Sequence, residues 1–151
     1  MLSAFLFDYI AWVYVSALAV IQIAAARSDL AGLLYARTRP RATTVAGGVA
    51  VLVAVALYFT TEERNQPDTG LGLDANVQAF WFAITGSLAV ATTLALTSAI
   101  NHRWGRDHGW RIDAGGPPPA GVAWLSRTTF FHAMRARIAY RRRSPGDQVE
   151  A

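Results

Sequence analysis

The chain has 151 residues, of which 53% are hydrophobic and only 16% are charged, whereas charged residues supply about 25% of an ordinary globular domain. This apolar excess argues against extended disorder, and the absence of cysteine excludes disulfide bonds, thiolate metal ligands and a cysteine nucleophile. All 14 basic residues are arginine, and with 10 acidic residues they give a net charge of +4.

Three apolar segments follow one another along the chain, and we predict that each crosses a membrane as a helix. The first covers about residues 3–26 and has no charged residue after Asp8. The second covers about 42–61 and the third about 77–100, and neither contains a charge. At 1.5 Å per residue, each is long enough for a hydrocarbon core of about 30 Å. A soluble helix of this length would carry a polar stripe, which none of the three has.

The predicted fold is therefore an all-α integral membrane protein. Residues 1–100 are expected to form a three-helix transmembrane bundle, residues 101–120 a juxtamembrane segment with a Gly/Pro-rich linker, and residues 121–151 a basic helix and tail. The alternative for the first segment is a cleaved signal peptide, since three consecutive alanines at 24–26 are typical of a cleavage site. A secretory signal needs a positive amino-terminal region, and residues 1–8 carry Asp8 and no arginine.

The charges are distributed unevenly between the two sides of this predicted membrane. The connection 27–41 contains four arginines and one acid, and the tail from Asn101 contains nine arginines and four acids. The connection 62–76 contains four acids and one arginine, Arg64. Segments rich in Lys and Arg stay in the cytoplasm, so we predict that the amino terminus lies outside and the carboxyl terminus inside. The resulting charges are −4 outside and +8 inside.

Aromatic residues support the same orientation, because they cluster at the predicted outer ends of all three helices, as in an interfacial belt. They are Phe5, Phe7, Tyr9, Trp12, Tyr58, Phe59, Phe80, Trp81 and Phe82. The lysine-free, alanine-rich composition suggests a bacterial source. Together these features predict a multi-pass protein of a bacterial plasma membrane.

Small residues predict where the helices pack. In helix 3 they recur at every fourth position, in the row Ala83, Ser87, Ala91, Ala95 and Ala99. We interpret Thr85, Ala89, Thr93 and Thr97 as a neighbouring row that completes a groove. Helix 2 offers a similar row with Gly47 and Gly48 beside it. Close approach between backbones drives helix association in lipid, and the partner is either helix 2 of the same chain or a helix of another subunit.

The tail divides at residues 115–119, where Gly-Gly-Pro-Pro-Pro indicates a semi-rigid linker. Beyond it, residues 122–143 are predicted to form an amphipathic helix with Trp124, Phe131, Met134 and Ile138 within one arc. Its arginines are expected to bind anionic lipid headgroups, at about 1 kcal/mol each, or an acidic partner surface, whereas nucleic acid is not expected. These arginines are Arg127, Arg135, Arg137, Arg141, Arg142 and Arg143.

Two polar residues of the first segment form a candidate intramembrane site. Asp8 is a carboxylate near a membrane span, where such groups can couple protons, and the alternative is an interfacial or capping role. Gln22 is expected to hydrogen-bond between helices. His102, Asp107 and His108 are of metal-ligating types, but no two have i, i+4 spacing on a recognisable helix, so we predict no metal and no cofactor.

The sequence contains no convergent set of catalytic residues, and we predict that the protein is not an enzyme. The adjacent Glu62 and Glu63 are expected to be solvated charges rather than an acid–base pair. The predicted function is that of a non-catalytic accessory or assembly subunit of a larger membrane complex, with other membrane subunits as partners. The alternative is a small homo-oligomeric transporter or channel, which would need polar groups at the membrane midplane.

Overall fold

The computed structural model describes residues 4–60, 75–110 and 121–143. Within these ranges the secondary structure is helical, as predicted, and no strand is present. The α-helices are α1 (Ala4–Arg27), α2 (Pro40–Thr60), α3 (Ala75–Ile100), α4 (His102–His108) and α5 (Phe130–Arg143). Short 3-10 helices at Ala31–Leu33 and Gly121–Ser126 precede α2 and α5.

Helices α1, α2 and α3 are long and apolar enough to cross a membrane, over Leu6–Arg27, Pro40–Thr60 and Ala75–Ile100. This confirms the three predicted segments to within a few residues. Helix α2 begins two residues before its predicted start because Pro40 occupies the first helical position. A proline is tolerated there, since the N–H group that it lacks would have no partner within the helix.

The central helix of the bundle is α1, which packs against both α2 and α3, whereas α2 and α3 make little contact with each other. Gly47 lies at the α1–α2 crossing. A Cβ atom added to it would lie 2.8 Å from Ile23 Cγ1 and 3.1 Å from the Ala19 carbonyl oxygen. The expectation that helices 2 and 3 pack on each other is therefore wrong, because α1 provides the packing surface for both.

The two rows of small residues on α3 lie on opposite faces of the helix. Thr85, Ala89, Thr93 and Thr97 are at most 2% exposed. Positions two residues apart differ by about 200° around a helix of 3.6 residues per turn, so the other row points away from this buried face. Its members, Ala83, Ser87, Ala91, Ala95 and Ala99, are all exposed. The prediction that both rows form one groove is wrong for this geometric reason.

The chain reverses direction immediately after α1. Asp29 has a left-handed backbone with φ of 53°, the Leu30 N–H donates to the Ala25 carbonyl at 2.9 Å, and the Ser28 N–H donates to the Ala24 carbonyl at 3.0 Å. The bond from Leu30 to Ala25, which spans the left-handed Asp29, is the 6→1 bond of the Schellman motif and satisfies a carbonyl group left free at the helix end, whereas the Ser28 bond continues the regular i→i−4 pattern. The motif directs the following residues back along α1 before α2 begins.

Candidate interaction surfaces

Buried amide side chains hold the connection between α1 and α2 in place. Gln22 is 5% exposed; its Nε2 donates to the Leu33 carbonyl at 2.8 Å, and its Oε1 accepts from the Tyr35 N–H at 3.0 Å. Asn101, at the end of α3, donates through Nδ2 to the Leu34 carbonyl at 2.8 Å. We call this part of the molecule, residues 27–41 together with α4, the arginine-rich end.

The structure does not bring the two candidate polar residues of α1 together. Asp8 and Gln22 are 14 residues apart, which is about 21 Å along a helix. Asp8 is partly exposed and lies beside Trp12 and Tyr58 in a groove between α1 and α2. Gln22 hydrogen-bonds within the α1–α2 connection rather than across to another helix. The two residues therefore form separate local environments.

The tail docks on the arginine-rich end through two buried threonines. Thr128 and Thr129 are at most 1% exposed, and Thr128 Oγ1 donates to the Gly105 carbonyl at 2.8 Å. A Cβ atom on Gly105 would lie 2.8 Å from Thr129 Cγ2, and one on Gly32 would overlap the Thr128 carbonyl oxygen. Two positions without side chains thus let the tail backbone approach closely. The predicted linker at 115–119 lies outside the described residues.

Helix α5 continues from this docked segment and contacts α3. The Phe131 N–H donates to Ser98 Oγ at 3.4 Å. Phe131, Met134 and Ile138 remain 42–50% exposed, whereas Trp124 of the same predicted arc is buried at 5%. Of the arginines predicted to bind lipid or a partner, Arg127, Arg135, Arg137, Arg141 and Arg142 are exposed, and the side chain of Arg143 lies outside the described residues.

Two histidines from different helices meet where α5 docks. The rings of His102 and His132 are 4.8 Å apart at 75°, and His132 Nδ1 lies 3.4 Å from Thr129 Oγ1. Burial lowers the pKa of His132, and the neighbouring His102, Arg135 and Arg106 lower it further because they disfavour a second positive charge. The structure therefore favours the neutral form of this imidazole.

Within the described residues, His102, Asp107 and His108, which are of metal-ligating types, do not form a group that could hold a metal ion. Asp107 forms an exposed ion pair with Arg106 at 3.5 Å. His108 Nδ1 lies 3.1 Å from the Trp104 carbonyl, and its ring stacks on the Trp104 ring. No group of three or more metal-ligating side chains of the His, Cys, Asp and Glu types occurs in the described parts of the chain.

A long groove runs between α1 and α2. Its two halves have volumes of about 530 Å³ and 480 Å³ and share Val15 and Ala50. The half nearer the arginine-rich end includes Arg39, and the other half ends at Asp8 and Tyr58. Residues of α1, α2 and their connection form the walls, so the groove is separate from the exposed small-residue row of α3.

The exposed row of α3, the α1–α2 groove and the outer face of α5 are thus three distinct surfaces of one short chain. The row on α3 consists of small residues, whereas the groove and the outer face of α5 each combine apolar side chains with arginine. Comparison with protein families, curated proteins and solved structures finds no significant match to the chain.

Proposed function

We propose that this protein is a non-catalytic accessory or assembly subunit of a larger membrane complex. The observation that carries the proposal is the exposed row of small residues on α3. Its neighbours in the chain do not cover it, because α3 is buried along the opposite face. From Ala83 to Ala99 the row extends for about 24 Å, which is most of the thickness of a bilayer core.

A row of this kind suits a helix from another subunit. Small side chains let two backbones approach closely, and dispersion contacts then stabilise the pair in lipid. Only 11% of the most apolar part of α2 and 17% of that of α3 is buried within the chain. The spans therefore have ample surface for partner subunits, and the row on α3 is an exposed line of small side chains within it.

In this proposal the arginine-rich end faces the cytoplasm of a bacterial cell, as the positive-inside rule requires. The outer face of α5 then lies at the headgroups of the inner leaflet. Its exposed Phe131, Met134 and Ile138 are flanked by arginines, and this combination is typical of interfacial helices. Docking of the preceding threonines on α4 fixes the height of this face relative to the spans.

The internal hydrogen bonds of the spans favour this function over a homo-oligomeric transporter. A transporter needs polar groups that face a pathway near the membrane midplane. The buried Thr93 and Thr97 instead donate to carbonyls of their own helix at 2.9 and 2.7 Å, and the Tyr14 hydroxyl donates to Thr92 Oγ1 at 2.9 Å. These hydroxyls are directed toward the interior of one chain.

The test is to solubilise membranes gently and to separate the complexes by blue-native electrophoresis, with mass spectrometry of each band. We expect the chain in a hetero-complex that contains other membrane subunits. A single band containing only this chain would contradict the accessory-subunit function and support the homo-oligomeric transporter or channel.

Two substitutions identify the surface that assembles. Ala91→Leu places a large side chain on the exposed row and is expected to reduce the yield of the hetero-complex at least fivefold, a loss of about 1 kcal/mol or more. Ala56→Leu is the matched control, since Ala56 is exposed on α2 and away from the row. Asp8→Asn is also expected to leave the complex intact. Equal yields from all three variants would exclude the row as the contact surface.

A further inference from the structure

We infer that the half of the α1–α2 groove at the arginine-rich end binds one acyl chain of an anionic phospholipid, whose phosphate pairs with Arg39. This site is separate from the exposed row of α3 and does not depend on the proposed function. It is also separate from the arginines of α5, because Arg39 lies in the connection that leads into α2.

The shape of the groove suits a hydrocarbon chain. Its walls are formed by Val15 and Leu18 of α1 and by Ala42, Ala46 and Ala50 of α2. Gly47 lets the two helices approach closely at their crossing. The three alanines of α2 near it leave space that larger side chains would fill. The volume of about 530 Å³ lies in the range of small-molecule sites, which are mostly apolar with few polar groups.

Of the polar side chains at the mouth of the groove, the charged group of Arg39 is the one that can bind a ligand. The polar atoms of Gln22 are bonded to Leu33 and Tyr35, and the Thr43 hydroxyl donates to the Arg39 carbonyl at 3.1 Å. Arg39 itself is exposed, and no acidic side chain in the described ranges pairs with it. A guanidinium has the geometry to donate two parallel hydrogen bonds to a phosphate.

The length and the charge at each end of the groove determine which way a lipid would lie. Arg39 and Ala50 are eleven residues apart, about 16 Å along α2, which is half of a hydrocarbon core of about 30 Å. The length of this half of the groove therefore matches the thickness of one leaflet. The far half ends at Asp8 and is lined by no arginine, so an anionic headgroup is favoured at the Arg39 end.

The test is native mass spectrometry of the purified, delipidated full chain, titrated with phosphatidylglycerol and with phosphatidylcholine of identical acyl chains. We expect wild type to prefer phosphatidylglycerol. Arg39→Gln should reduce this preference about fivefold, as expected for the loss of about 1 kcal/mol from one exposed ion pair. Ala46→Leu, which fills the groove, should weaken binding of both lipids.

Two matched controls and one competitor sharpen the result. Arg103→Gln removes an exposed arginine from α4, and Ala56→Leu enlarges an exposed alanine of α2 outside the groove; both should bind lipid as wild type does. Glycerol phosphate should not displace the lipid, because it lacks the acyl chain.

Displacement by glycerol phosphate, or an unchanged preference in Arg39→Gln, would overturn the proposal. So would a loss of self-association in Ala46→Leu with lipid binding unaltered, which would assign the groove to a second copy of the chain.

Discussion

At the scale of single residues, Gln22 of α1 holds the segment between α1 and α2 in place. Its amide pairs with one donor and one acceptor of the returning backbone, the Tyr35 N–H and the Leu33 carbonyl. In the absence of that amide, both backbone groups would be left without a partner in a partly buried position. Burying an unpaired polar group costs free energy, whereas an exposed one finds water or a lipid headgroup.

We expect Gln22→Leu to lower the free energy of unfolding by about 1–3 kcal/mol, the cost of leaving a buried polar group unsatisfied. The transition can be followed by circular dichroism as the detergent-solubilised protein is titrated with SDS. Ser87→Ala is the control, because Ser87 is exposed on α3 and its loss should change the midpoint little. Equal midpoints for both variants would show that the amide bonds contribute nothing.

Asp29 offers a test with the opposite sign. Its left-handed φ of 53° costs an L-residue about 1–2 kcal/mol, and glycine adopts the same conformation without that cost. Glycine loses more backbone entropy on folding, by about 0.5–1 kcal/mol. We therefore expect Asp29→Gly to raise the free energy of unfolding by about 0.5 kcal/mol. Asp29→Val should lower it in the same SDS titration, and a gain from valine would contradict the role of the turn.

At the scale of elements, the tail is held by close backbone approach as well as by side chains. Gly105 on α4 faces the Thr129 side chain and amide nitrogen, and Gly32 faces the carbonyl groups of Leu125 and Thr128. The close contacts at Gly32 and Gly105 are possible only because neither residue has a Cβ atom. The docked tail therefore requires glycine at two places that are far apart in the sequence.

Gly105→Ala should release this docking, because its Cβ would lie within 3.0 Å of the Thr129 Cγ2, Oγ1 and backbone nitrogen. We expect amide hydrogen exchange at residues 128–133 to increase at least tenfold, with exchange in α1 unchanged. Gly86→Ala is the matched control, since a Cβ atom there meets nothing within 4 Å. Unchanged exchange in the Gly105→Ala variant would show that docking of the tail does not depend on the absence of a Cβ atom at this position.

The three spans could be predicted from the sequence because each is a long segment without charge, and no neighbour is needed to recognise it. The partner of each span could not. Thr85 and Ala83 are both small, and only the position of α1 decides which of them is buried. The tail contacts were also missed, because they depend on Gly32 and Gly105, whose spacing along the chain follows no period. The pair Thr128 and Thr129 was a possible signal, since such residues frequently satisfy local backbone groups.

At the scale of the whole molecule, the arginine-rich end is where the bundle, the connection and the tail meet. Arg37 lies over the Trp104 ring at 4.7 Å, Asn101 bonds to the connection, and the rings of Trp110 and Tyr140 are 5.9 Å apart. The three surfaces described above are therefore positioned by one assembly of contacts. A change that loosens this end should move α5 relative to the spans.

The pH should act as such a change through His132. Because burial, His102 and two arginines lower the pKa of His132 in the docked tail, the undocked tail binds a proton more readily. Docking is therefore unaffected well above about pH 6.5, where the imidazole is neutral in both states, and it weakens as the pH falls through that value and the undocked imidazole binds a proton. The groups facing His132 are His102 and Arg106 of α4 and Arg135 of α5, and all three can carry positive charge.

We expect amide hydrogen exchange in α5, corrected for the intrinsic effect of pH, to be several-fold faster at pH 5.5 than at pH 7.5. His132→Gln should abolish most of that difference, because glutamine has the size and polarity to remain docked but does not titrate. His108→Gln is the matched control, since His108 packs on Trp104 away from the tail, and it should keep the wild-type dependence. If His132→Gln retained the full acceleration at pH 5.5, other groups at the arginine-rich end would have to bind the proton that releases α5.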